Sequence, residues 1–331
     1  MRARHIGAAI FIICRVFTSN CIAAKVTFFE YYCAISNVLI MSVSYKIHPA
    51  FAADDASLLE TDLTSCQLLV LIGKGTFSYV VYNPAAKKFL ALKSYHFLPQ
   101  KTATADLQMI EQIFDADKLL FTNFNLVQLA FDGVNSTLVP EQHYNPSLKK
   151  DYLHVIYPEQ TQELVLADVL TDQQLVNIYS VDKDVMGFLR KEFSTDKVIH
   201  ANSGLLKSYR FDNDFLELNG VAYVDIQQHK FSLTIFRFGK LLIQQDVSSQ
   251  TGLDVVYHLV NILRQTGLDE QLVKVKVGGA VTSDSQIHEE LRRFIPKLEW
   301  MPRLPGFWYI PKMEEIPGYY FNNLYAMALC V

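Results

Sequence analysis

Two groups of residues in this sequence could support chemistry by type and spacing. Gly73, Gly75 and Thr76 form a Gly-x-Gly-Thr turn, and Gly278-Gly279 a second small-residue step; the backbone N–H groups of such turns can approach phosphate oxygens closely. Asp225 and Asp246 are carboxylates that could share two divalent metal ions, provided further acids converge on them from elsewhere. Each group also has a plainer explanation. Gly73 and Gly75 fit an ordinary hairpin, and Gly278-Gly279 a close strand-to-helix turn. The run GKGT at Gly73 lacks the upstream glycine of a P-loop and falls between strands, so it is not read as one. His200 and His229 have polar neighbours and read as surface or capping residues. No Gly-x-Ser-x-Gly elbow and no zinc signature is present.

Composition narrows the classes of function. A chain of 331 residues, 50% apolar and 19% charged, can bury one large core or two ordinary ones, and two domains are favoured. The formal charge of -4 is spread along the chain without a basic block, so the surface that nucleic-acid binding or a nuclease needs is missing. Lys149-Lys150 and Arg292-Arg293 read as solvated faces. Of five cysteines, Cys14, Cys21 and Cys33 fall in the first 33 residues and only Cys66 and Cys330 remain for the folded part. That is no disulfide framework, and a reducing, cytoplasmic compartment fits best.

Residues 1–40 are apolar, but Arg15, Lys25 and Glu30 interrupt every stretch that could span a membrane. A secretory signal fits poorly because its apolar region is cut at Arg15 and no small-residue cleavage site follows promptly. The segment is expected to be an extension outside the fold, with Met41 as the natural start and no stable membrane insertion of the folded part.

From Gln67 three apolar runs separated by Gly-rich and Asn-Pro turns predict an antiparallel meander. A helix-favouring run follows from Thr104 to Asp115. Strands are expected at Lys118–Phe124 and Val127–Phe131, with a hairpin at Asp132-Gly133, a turn at Pro140 and two more strands between Gln162 and Val181. Asp182 should cap a helix that buries Val185, Phe188, Leu189 and Phe193. A short strand over Lys197–His200 and a short helix over Ser203–Tyr209 come next. A second meander begins near Gly220 and turns at Phe238-Gly239-Lys240. The helix after it, Thr251 to Gln265, should bury Leu253, Val256, Tyr257, Val260 and Leu263 and stop at Gly267. Val273–Val277 reads as a buried strand. Ser283 and Gln286 read as a capping box for a last helix, with Ile287, Leu291, Phe294 and Ile295 inward and Pro296 at its end.

The two meanders are related. An offset of 154 matches Val70 with Val224, Ile72 with Ile226, Phe77 with Phe231, Ser78 with Ser232, Val81 with Ile235 and Tyr82 with Phe236. After a loop difference of two residues, Lys88, Phe89 and Leu90 match Lys240, Leu241 and Leu242. Each meander leads to a helix and a further strand, and that shared order weighs more than strand phase alone. The expected organisation is an α/β protein with two halves, 60–212 with an inserted segment and 213–331. Used twice, a β-β-β-α-β-α unit is the plan of the actin-like ATPase superfamily, whose halves are ribonuclease-H-like. The span from Thr61 to Val331, with Leu138–Pro146, Val198–Leu206 and Lys276–Ala280, resembles a bacterial family of unknown function with that fold. The second half also resembles pilus-assembly actin homologues in its layout.

The resemblance implies ATP with magnesium in the cleft between the halves, held by an acid at the end of each meander's first strand and by Gly-rich hairpins. By position, Gly73, Gly75, Thr76, Asp225, Gly278 and Gly279 would be the nucleotide-contacting set. Leu71 stands where the first acid belongs, however, and Gln227, Gln228, His229 and Lys230 replace the small residues of the second hairpin. The reading is a degenerate nucleotide site, no cofactor firmly held, and a role in binding or assembly with a protein partner. The rival is an active ATPase or phosphotransferase. Leu304–Tyr320, crowded with aromatics between prolines, reads as a lid on its own domain, with an anchor for a partner as the alternative.

Overall fold

The computed structural model describes residues 47–54, 58, 61–98 and 103–330; the expectations for residues 1–40 lie outside these. The first half opens with β1 (Phe51–Asp54) and the meander β2 (Gln67–Gly73), β3 (Thr76–Asn83) and β4 (Lys88–His96). Helix α1 (Ala103–Ala116) and strand β5 (Leu126–Phe131) follow. An inserted lobe comes next, with β6 (Ser136–Pro140), α2 (Lys149–His154), β7 (Glu163–Leu170) and β8 (Leu175–Asp182), its strands ordered β6-β8-β7. Helix α3 (Lys183–Phe193), β9 (Val198–His200) and α4 (Ala201–Tyr209) complete this half. The second half contains β10 (Val221–Ile226), β11 (Lys230–Arg237), β12 (Lys240–Ser248), α5 (Gly252–Gln265), β13 (Lys274–Gly279), α6 (Gln286–Phe294) and β14 (Leu298–Trp300). A closing segment contributes β15 (Trp308–Tyr309) and two single-turn helices.

The sheets share one plan. Their orders are β1-β4-β3-β2-β5-β9 and β12-β11-β10-β13-β14, with the meanders antiparallel and the last two strands parallel. The offset of 154 holds at the level of backbone pairing: Gln67 faces Tyr82 as Val221 faces Phe236. Even the register shift repeats, between Val81 and Tyr82 and again between Ile235 and Phe236.

Burial explains why the central strands carry unbroken apolar runs. One face of the first sheet packs against α1 and α3 through Ile110, Phe114, Val185 and Leu189. The other face is covered by the closing segment, where Ile310, Met313, Phe321, Leu324 and Tyr325 meet Leu69, Val80, Phe89 and Leu92. A strand covered on both sides has no polar face to keep in water. The closing segment is thus a cover on the opposite half's sheet, anchored by β15 pairing with β4, while Trp308 stays 71% exposed. Between the sheets, α4 buries seven of its nine residues. Its Tyr209 stacks on Tyr223 at 3.9 Å.

Four local expectations change. Lys118–Phe121 is a 3-10 turn, because the Asp117 carboxylate accepts the Leu119 N–H and starts a turn there. Asp132-Gly133 makes no hairpin, since β5 pairs with β2 and β9 instead of β6. Helix α5 buries Val255, Val256, Leu259, Ile262 and Leu263, leaving Leu253 and Tyr257 exposed; the helix carries two adjacent apolar stripes, and packing against the sheet and α6 selects one. Helix α6 is capped by Ser285, whose Oγ accepts the His288 N–H, and its Phe294 is exposed. The cap at Asp182 stands as expected, and Thr251, read as the first residue of its helix, is the N-cap of α5 in a capping box with Asp254.

Candidate functional site

The two meander hairpins face each other across a cleft of about 520 Å³. Both close with a two-residue turn in equivalent register, Gly73 opposite Thr76 in the first and the Gln227 N–H donating to the Lys230 carbonyl in the second. A Cβ on Gly73 would come within 2.4 Å of Thr76 Oγ1, so the missing side chain lets that hydroxyl fold back over the strand end. Gln227 stands at the place of Gly73, His229 at that of Gly75 and Lys230 at that of Thr76. The correspondence continues inward: Ser78 faces Ser94 in the first half as Ser232 faces Asp246 in the second.

Of the six residues expected by position, Gly73, Thr76, Asp225 and Gly279 line this cleft, whereas Gly75 and Gly278 do not. Gly75 sits at the turn apex with φ 75°, and its carbonyl accepts the Phe97 N–H. Gly279 has φ +83° and lies so near the end of β10 that a Cβ would meet the Ile226 carbonyl at 2.2 Å. Its N–H donates to the Tyr319 carbonyl. A Cβ on Gly278 would meet Met301 Sδ at 2.9 Å and the Tyr319 carbonyl at 3.1 Å. The closing segment therefore lies over the glycine pair, with Tyr319 stacked on Trp300 at 4.2 Å and Trp300 on His288 at 4.5 Å.

Charge in the cleft is organised around Lys230. Its ammonium donates to Asp132 Oδ1 at 2.8 Å and also contacts Asp246. The Gln227 amide donates to Asp132 Oδ2 at 2.7 Å and to Asp225 Oδ2 at 3.3 Å. Asp246 additionally accepts from the Ser232 hydroxyl at 2.6 Å and from Asn202 Nδ2 at 3.1 Å. Burial opposes the Lys230 charge, but the two carboxylates outweigh it and raise its pKa. Asp225 is buried with Oδ1 unpartnered. Burial first, then the neighbouring charge of Asp132, push its carboxyl up to about 7. Leu71, buried and apolar, occupies the matching place in the first half.

Asp132 is the member that sequence reasoning missed. It follows β5, the strand that pairs with β2, and its turn-forming type suggested a hairpin with Gly133. The repeat offered a signal, because β5 matches β13 and the residue after each strand must enter the cleft. His200 is fully buried, and its Nδ1 caps α4 by accepting the Asn202 N–H, while His229 is exposed.

Residues 56–298 match the family described as "Protein of unknown function (DUF3822)". The chain belongs to that family. Among solved structures it is similar to a Bacteroides thetaiotaomicron protein "with actin-like ATPase fold and unknown function", at 15% identity and a TM-score of 0.68, covering 81% of this chain and 97% of that one. It is also similar to a chain of the "PilM-PilN type IV pilus biogenesis complex", at 14% identity and a TM-score of 0.51, covering 80% and 98%. No curated protein matches by sequence. The DUF3822 chain has the actin-like ATPase fold, with two ribonuclease-H-like halves. Among the described residues no helix is long and apolar enough to cross a membrane.

Proposed function

We propose that this protein is a cytoplasmic actin-fold binding or assembly protein whose nucleotide site is degenerate. The observation that carries the reading is the Lys230 ammonium lodged between Asp132 and Asp246. In this fold the hairpins hold phosphates and a hydrated magnesium ion, and transfer of a phosphoryl group needs metal and positioning together. The residues present do not fit that group. Leu71 offers no carboxylate, and a metal at Asp132 would have to displace a half-buried ammonium stabilised by two acids. Asp132 does bring a carboxylate into the cleft, yet Lys230 and Gln227 hold its oxygens. The Tyr319 carbonyl takes the Gly279 N–H and lies over Gly278. What supports a protein partner is that a solved structure sharing the fold is itself a two-protein complex.

Calorimetry with millimolar Mg-ATP, combined with phosphate-release measurements, tests this. The expected result is no binding heat and no phosphate release from the natural chain. Phosphate release that disappears in an Asp225→Ala variant overturns the reading and makes the protein an ATPase.

A further inference from the structure

The inserted lobe carries a second polar cluster outside the cleft lining. Helix α2 ends at His154, β7 begins at Glu163, and the loop joining them holds Glu159. A ring nitrogen of His154 and one carboxylate oxygen from each glutamate all lie within 4.8 Å of one another. His154 Nδ1 is 3.3 Å from the Tyr157 carbonyl. A carbonyl only accepts, so Nδ1 carries the hydrogen and Nε2 is turned toward the glutamates. There, Nε2 lies 2.9 Å from Glu163 Oε1, yet neither of these buried atoms makes a hydrogen bond. Glu163 is only 7% exposed, so water does not satisfy its carboxylate in the usual way. Buried together, a ring nitrogen and a carboxylate oxygen at this distance share a cation, either the imidazole's own proton or a metal ion, and the second carboxylate within 4.8 Å favours the metal. Lys183, next in sequence to the strand partner of Glu163, donates its ammonium to the Thr161 carbonyl at 3.3 Å.

We propose that His154, Glu159 and Glu163 form a divalent metal site of the zinc class. His154 Nε2 and the two carboxylates are the protein ligands, and the fourth position is open because Glu159 faces solvent. One imidazole with two carboxylates suits a borderline ion such as zinc, whereas magnesium and calcium prefer sets made wholly of oxygen. The Nδ1–H to carbonyl bond is the outer contact that fixes a metal-bound imidazole in place. Bound metal would tie the end of α2 to the start of β7 and so fix the loop at the edge of the lobe.

The test uses the full chain, treated with chelator, desalted, and titrated with zinc chloride by calorimetry and with cobalt chloride by visible absorption. One equivalent of zinc should bind, cobalt should develop d–d bands, and magnesium or calcium chloride should give neither signal. His154→Ala and Glu159→Gln should each weaken zinc binding by more than about 100-fold, beyond the loss typical of removing only an outer contact. The Glu159→Gln variant leaves the buried pair intact, so it separates lost ligation from lost folding. Absence of stoichiometric zinc binding by the natural chain, or unchanged affinity in Glu159→Gln, overturns the site and leaves an ordinary imidazole–carboxylate pair.

Discussion

Replacing Asp225 with Asn should change how stability depends on pH. The carboxyl is 1% exposed, and its burial and the charge of Asp132 raise its pKa to about 7. In the unfolded chain the same group titrates near 3.9. Between about pH 4 and pH 7 the folded state therefore keeps a proton that the unfolded state has released. The stability due to that proton is complete below about pH 4 and is lost as pH rises through about 7. At about 1.4 kcal/mol for each tenfold change in proton affinity, the full loss is about 4 kcal/mol. Asn carries no ionisable proton, so the variant should gain about that much relative to the natural chain between pH 4 and pH 8. Urea unfolding of both chains across this range measures the difference. Asp168, whose pKa burial raises to about 6, is present in both chains and cancels. A difference that stays constant with pH would refute the argument, because it would mean the Asp225 carboxylate is ionised throughout. Saturating Mg-ATP should leave the profile unchanged; a profile flattened by it would mean that metal expels the proton, as in an intact nucleotide site.

Lys230→Met removes the only described cation that bridges Asp132 and Asp246. It should cost about 2–3 kcal/mol in urea unfolding at pH 7.5, less than the roughly 3–5 kcal/mol of a fully buried pair that loses one partner, because Lys230 and Asp246 keep some exposure, and adding Asp132→Asn should recover part of that loss. Two glycines separate steric need from backbone preference. Gly279→Ala drives a Cβ to 2.2 Å from the Ile226 carbonyl at φ +83° and should cost more than about 3 kcal/mol. Gly267→Ala, at φ +72° with nothing within 4 Å, should cost about 1 kcal/mol by the same unfolding measurement.

The repeat was legible because strand phase and turn residues are local properties. Val70 and Val224, or Phe77 and Phe231, occupy equivalent pairs with the same register shift, since a slip of one residue would turn every side chain to the wrong face. The helix cap at Asp182 was legible for the same reason. The stripe of α5 was not. Leu253 and Tyr257 match a helical face as well as Val255 and Leu259 do, and only the partner surface distinguishes them.

The same division holds for the candidate site. By itself, the sequence determined the duplicated α/β plan, the apolar Leu71 in place of an acid, and the bulky hairpin after Asp225, because these follow from residue type at positions the repeat defines. Only the tertiary structure brought Asp132 to Lys230, 98 residues apart, and laid the closing segment across the opposite sheet and over Gly279. Local sequence preference acts within a turn or a strand. Pairing of buried charges and burial of an aromatic tail depend instead on which surfaces meet, and that is settled when the whole chain minimises exposed apolar area and unpaired polar groups together.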